Sequence, residues 1–354
     1  MTPVSEVHTG LGHFNLARGI GMVLILLGHS MTPFAPVEGA AMGAGSVLGG
    51  GIMAMFFLIS GFGFYSRSPK KCLSIQYRLL LKPYWITTAA ILLTKLVLAA
   101  VKQRPFSRHG GELVLTYLLG LNAEGGGQLW GISIESVSIF WFILALFGGW
   151  IIYNGISRLK SRPLQFLLVT ACVVGGYLLT LVSKVWFFCL PMALLSVGYL
   201  AAGYEIRRHQ LLDRKLPVWC WAVLLGISGV CFAFGGVNLV GCYWKLGLLD
   251  VAGSFCVGFL LLRLYHRFMT REHHSPVMGL LEAVGFHSLW IVLLHGYEKV
   301  IFPWYRLGIR MPQGIATVVC LLGRCAAMYI LFRLLQALSR RHRRKRRRAI
   351  TLEP

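Results

Sequence analysis

Long apolar runs, separated by short polar or basic segments, divide this sequence from end to end. About 20 consecutive apolar residues in a helix span the roughly 30 Å hydrocarbon core of a bilayer. Only 13% of the 354 residues are charged, whereas soluble domains have about a quarter. We therefore predict an all-α, polytopic transmembrane helix bundle of about ten spans, at 14–34, 47–66, 79–101, 133–154, 165–183, 185–204, 218–237, 247–265, 280–301 and 314–337.

The basic residues are concentrated in alternate loops. With a cytoplasmic N-terminus, 24 of the 35 Lys and Arg fall on the cytoplasmic side and 8 on the other side. This bias predicts that both termini are cytoplasmic. The predicted organisation is an N-terminal segment 1–13, a membrane domain 14–338 and a basic tail 339–354. The Arg340–Arg348 run resembles a nucleic-acid-binding sequence, but directly after a span we expect it to rest on anionic lipid headgroups.

The nine cysteines do not indicate a disulfide framework or a metal site. All except Cys72 lie within or beside apolar runs, and neither a CxxC pair nor a Cys/His cluster with zinc-ligand spacing occurs. We expect them to be small buried side chains, and we expect no metal. The first apolar run has no basic segment before it, which predicts a retained span rather than a signal peptide.

Arg18 and His29 lie eleven residues apart in the first apolar run. In a helix, eleven steps are about three turns plus 20°, so both side chains share one face, about 16 Å apart. Charged groups in hydrocarbon are costly and usually face the bundle interior. The pair predicts His29 as a general base and Arg18 as a ligand for phosphate or carboxylate. The structural alternatives are a His29 bonded to a backbone carbonyl and an Arg18 that extends to the headgroups.

Six other ionisable side chains fall in or near the apolar runs: Glu135, Asp250, Glu282, His287, His295 and Arg324. Glu135 is a candidate for orienting a protonated His29, with a place at the membrane interface as the equal alternative. His295 is a candidate site residue or a packed polar contact. Asp250 and Arg324 are candidates for a buried structural ion pair.

Small residues mark the end of the second span, at Ser60, Gly61 and Gly63. They allow close approach by a neighbouring helix or a thin ligand. The loop after them is basic, which suits a phosphate-rich nucleotide such as coenzyme A but follows equally from the positive-inside bias.

Four motifs in register resemble those of the acyltransferase 3 family of integral-membrane O-acyltransferases. They are an Arg and a His separated by ten residues, an FFxxSGF signature, a basic residue before Pro-Tyr, and a late Ser-Leu…His pattern. Here they are matched by Arg18…His29, Phe56–Phe62, Lys82-Pro83-Tyr84 and Ser288-Leu289…His295. The fourth span departs from a clean match. Trp130–Glu135 approximates the segment of one branch, and Phe140-Trp141-Phe142-Ile143 that of sugar O-acetylases.

The resemblance implies an acyltransferase of groups other than amino-acyl groups, more narrowly an O-acetyltransferase. Acyl-CoA, expected to be acetyl-CoA, would bind at the cytoplasmic face, and the acyl group would reach a hydroxyl of an extracytoplasmic or lipid-linked glycan. The expected location is a bacterial inner or plasma membrane, with no nucleic-acid partner. The implied catalytic residues are His29, Arg18 and Glu135, with His29 as base or transient acyl carrier. The implied substrate-binding residues are Ser60, Lys82, Tyr84, Trp130, Trp141 and His295.

Two other classes of function stay open from the residues alone. A transporter could use the buried charges as a substrate or proton path, although no internal repeat supports it. A sensory or binding membrane protein could keep the same scaffold without turnover.

Overall fold

The computed structural model describes residues 14–34, 40–101, 108–122, 127–129, 132–134, 136–183, 185–269 and 275–350. Its helices are α1 Asn15–Met31, α2 Ala40–Phe62, α3 Pro69–Gln76, α4 Lys82–Val101, α5 Arg108–Leu119, α6 Trp141–Ile156, α7 Arg162–Val182, α8 Leu190–Arg208, α9 Val218–Phe234, α10 Leu248–Met269, α11 Pro276–Phe286, α12 Ser288–Ile301 and α13 Gln313–Ile350. A π-helical stretch, Tyr77–Leu81, joins α3 to α4, and 3-10 turns lie at Ser138–Phe140, Phe187–Cys189 and Trp304–Ile309.

Two short antiparallel hairpins are the β-structure of the described residues. β1 (Gly127–Leu129) pairs with β2 (Ile132–Ile134), and β3 (Val237–Asn238) pairs with β4 (Tyr243–Trp244). Both lie in connections between helices, so the prediction of an all-α bundle is confirmed.

Within the described residues, seven helical segments are long and apolar enough to cross a bilayer, or eight if the bent pair α11–α12 counts as one span. They are Gly43–Phe62, Pro69–Val101, Ser138–Ile156, Arg162–Val182, Phe187–Arg208, Leu248–Phe268 and Gln313–Leu334. Helices α1 and α9 have 17 residues each, or about 26 Å, slightly less than the hydrocarbon thickness. The predicted ten spans are reached only if both also cross, so that number and the sides of the termini stay predictions.

The predicted ninth span, 280–301, is broken into two helices. α11 ends at Phe286 and α12 begins at Ser288, and their axes differ by 73°. His287 between them has φ −94° and ψ 12°, outside the helical region. The break turns α12 away from the direction of α11 and so decides where its polar residues lie.

Glycines let several helix backbones approach closely. A Cβ on Gly61 of α2 would lie 2.2 Å from the carbonyl oxygen of Leu200, and one on Gly203 of α8 would lie 2.2 Å from that of Leu58. α1 and α11 meet similarly, because a Cβ on Gly285 would lie 1.8 Å from the carbonyl oxygen of Asn15. Interfaces of small residues are a common means of packing helices in membranes. In this bundle they bring α1 against α11 and α2 against α8.

This packing gives a stability prediction for α8. We expect Gly203→Ala to lower the free energy of unfolding by about 1–3 kcal/mol, because the new methyl group overlaps the backbone of α2. Gly226→Ala on α9 is the control, since nothing lies within 4 Å of that Cβ. Thermal unfolding of the detergent-purified variants measures the difference. Equal melting temperatures for the two variants would contradict the packing.

Candidate active site

Helix α1 carries Arg18 near its start and His29 in its last turn. The helix is continuous between them, so the two residues lie about 16 Å apart along the axis. Arg18 is half-buried and its Nη2 donates to Asn15 Oδ1 at 2.6 Å. His29 is also half-buried. The pair therefore marks two ends of one helix rather than a single contact.

His29 meets a second histidine, His295 of α12. The ring centroids are 5.3 Å apart and the ring planes are inclined by 43°. His295 has no exposed surface. Two imidazoles from helices far apart in sequence therefore lie side by side in the bundle.

The buried carboxylate of Glu298 lies beside the His295 ring. Nδ1 of His295 lies 2.6 Å from Oε1 of Glu298, one turn later on α12. An ionised carboxylate can only accept, so Nδ1 carries the hydrogen, and in the neutral imidazole Nε2 then keeps its lone pair. Within the part of the chain that the structure describes, Nε2 is buried and has no hydrogen-bond partner.

Glu298 is itself held by two donors. Arg324 Nη1 of α13 lies 3.2 Å from Oε1, and Trp304 Nε1 donates to Oε2. The guanidinium carbon of Arg324 lies 5.7 Å from the centroid of the Trp304 ring. The side chains of Glu298 and Arg324 are 0% and 1% exposed. A buried charge needs such pairing to be tolerated.

Sequence reasoning did not single out Glu298. A His and a Glu three residues apart on one helix face, together with an Arg in the next apolar run, were the available signal.

The predicted ion pair between Asp250 and Arg324 does not form. Arg324 pairs with Glu298, while Asp250 Oδ2 accepts from the backbone N–H of Leu246 at 2.7 Å and of Gly236 at 3.3 Å. Asp250 lies in the first turn of α10, where a carboxylate stabilises free amide groups. It thus holds the connection before α10 and serves a local structural role.

Of the other predicted substrate-binding residues, Ser60, Tyr84 and Trp141 contact groups other than the two histidines. The Ser60 hydroxyl accepts from Trp150 Nε1 at 2.8 Å, and the Tyr84 hydroxyl donates to the Tyr117 carbonyl at 2.6 Å. Trp141 is buried at 6.4 Å from the Phe57 ring, and Lys82 is exposed. Trp130 and Glu135 lie outside the described residues.

The geometry around His295 suits proton transfer. An imidazole nitrogen with a free lone pair, fixed by a carboxylate on its other nitrogen, is the arrangement of a general base. Among the described residues that nitrogen is buried without a partner, which costs about 1–3 kcal/mol, and a catalytic role is one explanation of such a group.

One comparison with known proteins found a relationship. The family model of an acyltransferase domain, that of the acyltransferase 3 family, matches residues 12–333. This range contains both histidines, Glu298 and Arg324. Neither the curated proteins nor the solved structures show a match to the chain.

Proposed function

The chain belongs to the acyltransferase 3 family of membrane acyltransferases, and from this premise we propose that it is an O-acetyltransferase of a bacterial cell envelope. The donor is acetyl-CoA on the cytoplasmic side of the inner membrane. The acceptor is a hydroxyl of an extracytoplasmic or lipid-linked glycan. Membership of the family supports acyl transfer in a membrane.

The observation that carries the proposal is the contact of the His29 and His295 rings at 5.3 Å. Acyl transfer to an alcohol needs a group that removes the hydroxyl proton or first accepts the acyl group, and imidazole can do either. A purely structural role would not require two imidazoles to meet at the end of α1.

In the reaction, the acceptor oxygen forms a bond to the acyl carbon and the C–S bond of the thioester breaks. The electron pair leaves with the sulfur of CoA, and the hydroxyl proton passes to a base and then to solvent. His29 contributes as this base or as a transient acyl carrier. The two roles differ in one test, because only an acyl carrier releases one CoA per protein when no acceptor is present.

Cationic residues support a donor on the predicted cytoplasmic side. Lys70 and Lys71 on α3 and Lys82 at the start of α4 are exposed, and their ammonium groups can bind the phosphates of CoA. Arg18 lies on α1 at the end away from His29, where a guanidinium can hold a phosphate of the donor.

Arg18→Gln tests this assignment. We expect KM for acetyl-CoA to rise by roughly 10- to 100-fold, because a hydrogen bond to a charged group contributes about 1.5–3 kcal/mol. Steady-state release of CoA at varied donor concentration measures it. A change confined to the acceptor KM would contradict the donor role of Arg18.

The proposed function is tested by mass spectrometry of envelope glycans from cells with and without the chain. We expect acetylated glycan only in cells that make the protein. Identical glycans from the two kinds of cell would overturn the proposed acetyltransferase activity. Proteoliposomes that take up solute without consuming acetyl-CoA would favour a transporter instead.

A further inference from the structure

The two histidines have different surroundings, which separates their roles. His295 is wholly buried and bonded to Glu298, while His29 is half-buried on another helix. We propose that Nε2 of His295, and not His29, removes the proton of the acceptor hydroxyl, and that Glu298 positions the ring for this. The inference rests on the proposed function and divides its chemistry between two residues.

The contact with Glu298 sets the tautomer of His295. Glu298 Oε1 accepts a hydrogen bond from Nδ1–H at 2.6 Å. This contact fixes the ring and leaves Nε2 of the neutral imidazole as a hydrogen-bond acceptor. In the described part of the chain, that nitrogen has no partner although it is buried. A hydroxyl that binds there supplies the missing donor, and the same hydrogen bond carries the proton that must leave.

The negative charge on Glu298 stabilises the protonated ring of His295. When Nε2 takes the proton, the ring becomes an imidazolium that faces a carboxylate already in place, which stabilises the charge formed in the reaction. Arg324 and Trp304 hold the same carboxylate by its two oxygens. Their contacts favour the ionised form of Glu298 and align its carboxylate in a buried site.

The transfer breaks two bonds and forms two. The acceptor hydroxyl gives its proton to His295 Nε2, and its oxygen bonds to the acyl carbon. The bond from that carbon to its carrier breaks. The carrier is the CoA sulfur or a nitrogen of His29, and it keeps the electron pair. His295 returns the proton to solvent. His29, with its ring beside His295, is left to act on the acyl group.

A structural role is the competing interpretation. Glu298, Arg324 and His295 could simply join α12 to α13 through a buried ion pair. In that case a change at His295 should weaken the fold and lower transfer to every acceptor alike. A base should instead be needed only where the acceptor must lose a proton.

The experiment compares two acceptors with the full-length purified protein. One is the lipid-linked glycan extract of cells lacking the chain, whose hydroxyls need a base. The other is hydroxylamine, a small nucleophile that is unprotonated at neutral pH and needs none. The variants are His295→Gln, whose amide can still donate to Glu298, and the charge-neutral double variant Glu298→Gln/Arg324→Met. His287→Gln is the control, since His287 lies at the helix break and contacts Phe286 and Phe332.

We expect His295→Gln to lower kcat for the glycan extract by about a hundredfold, as for loss of a general base. Transfer to hydroxylamine should stay within threefold, which also shows that the variant is folded. The double variant should lower kcat for the glycan with KM unchanged. Equal losses with both acceptors, or glycan transfer within threefold of wild type, would overturn the inference. If the wild-type protein consumed no acetyl-CoA with either acceptor, the proposed function itself would fail.

Discussion

His29→Ala should lower acetyl transfer by roughly a thousandfold or more, the largest effect expected of any single change in this chain. The reason is that His29, which acts on the acyl group while His295 removes the proton, needs its imidazole for this. Alanine has neither a nucleophilic nitrogen nor a hydrogen-bonding side chain. Alanine keeps the helix, because it has the highest helix propensity. The measurement is release of CoA by equal amounts of purified wild-type and variant protein.

A histidine elsewhere provides the matched control. His209 lies just after α8, is exposed, and pairs with Glu205 at 3.2 Å. His209→Ala should leave transfer unchanged, because exposed ion pairs contribute little. If His29→Ala kept more than a tenth of wild-type activity while remaining folded, the catalytic assignment of His29 would be wrong.

Arg324→Met should be the most destabilising substitution discussed here, at about 3–5 kcal/mol. Removing the guanidinium leaves the buried Glu298 carboxylate with its hydrogen bonds to Trp304 and His295 but without the charge of the arginine. Adding Glu298→Gln removes the uncompensated charge. The double variant should therefore recover most of the lost stability, and the coupling between the two positions should be large.

Thermal unfolding of detergent-purified protein gives this comparison. Arg333→Met is the control, because Arg333 lies on the same helix but is exposed. It should shift the melting temperature little. A double variant less stable than Arg324→Met alone would contradict the buried ion pair as the source of the effect.

The class of the fold and the family were predictable because they depend on local information. Apolar runs of about 20 residues predict helices, and the motif from Arg18 to His29 lies within one of them. Membership of the acyltransferase family is confirmed. The small residues of the second span predicted close approach by a helix or a thin ligand, and Gly61 lies against the backbone of α8.

The partners within the candidate site were not predictable in the same way. In the sequence, Arg324 had several carboxylates in or near the apolar runs as candidate partners, among them Asp250 and Glu298. Which one it meets depends on how α13 packs against α12 and on Asp250 being used at the start of α10. Long-range packing of this kind leaves no periodic signal in a single sequence. No proline lies at the bend at His287 to indicate it in the sequence, although the bend sets the direction of α12.

Transfer of a radiolabelled acetyl group tests the central claim most directly. Purified protein in proteoliposomes is mixed with labelled acetyl-CoA and envelope glycan from cells lacking the chain. The account predicts that label appears on glycan hydroxyls, with one CoA released for each acetyl group transferred, and that His29→Ala protein transfers none above background. Consumption of acetyl-CoA without labelled glycan, or equal labelling by both proteins, would contradict it.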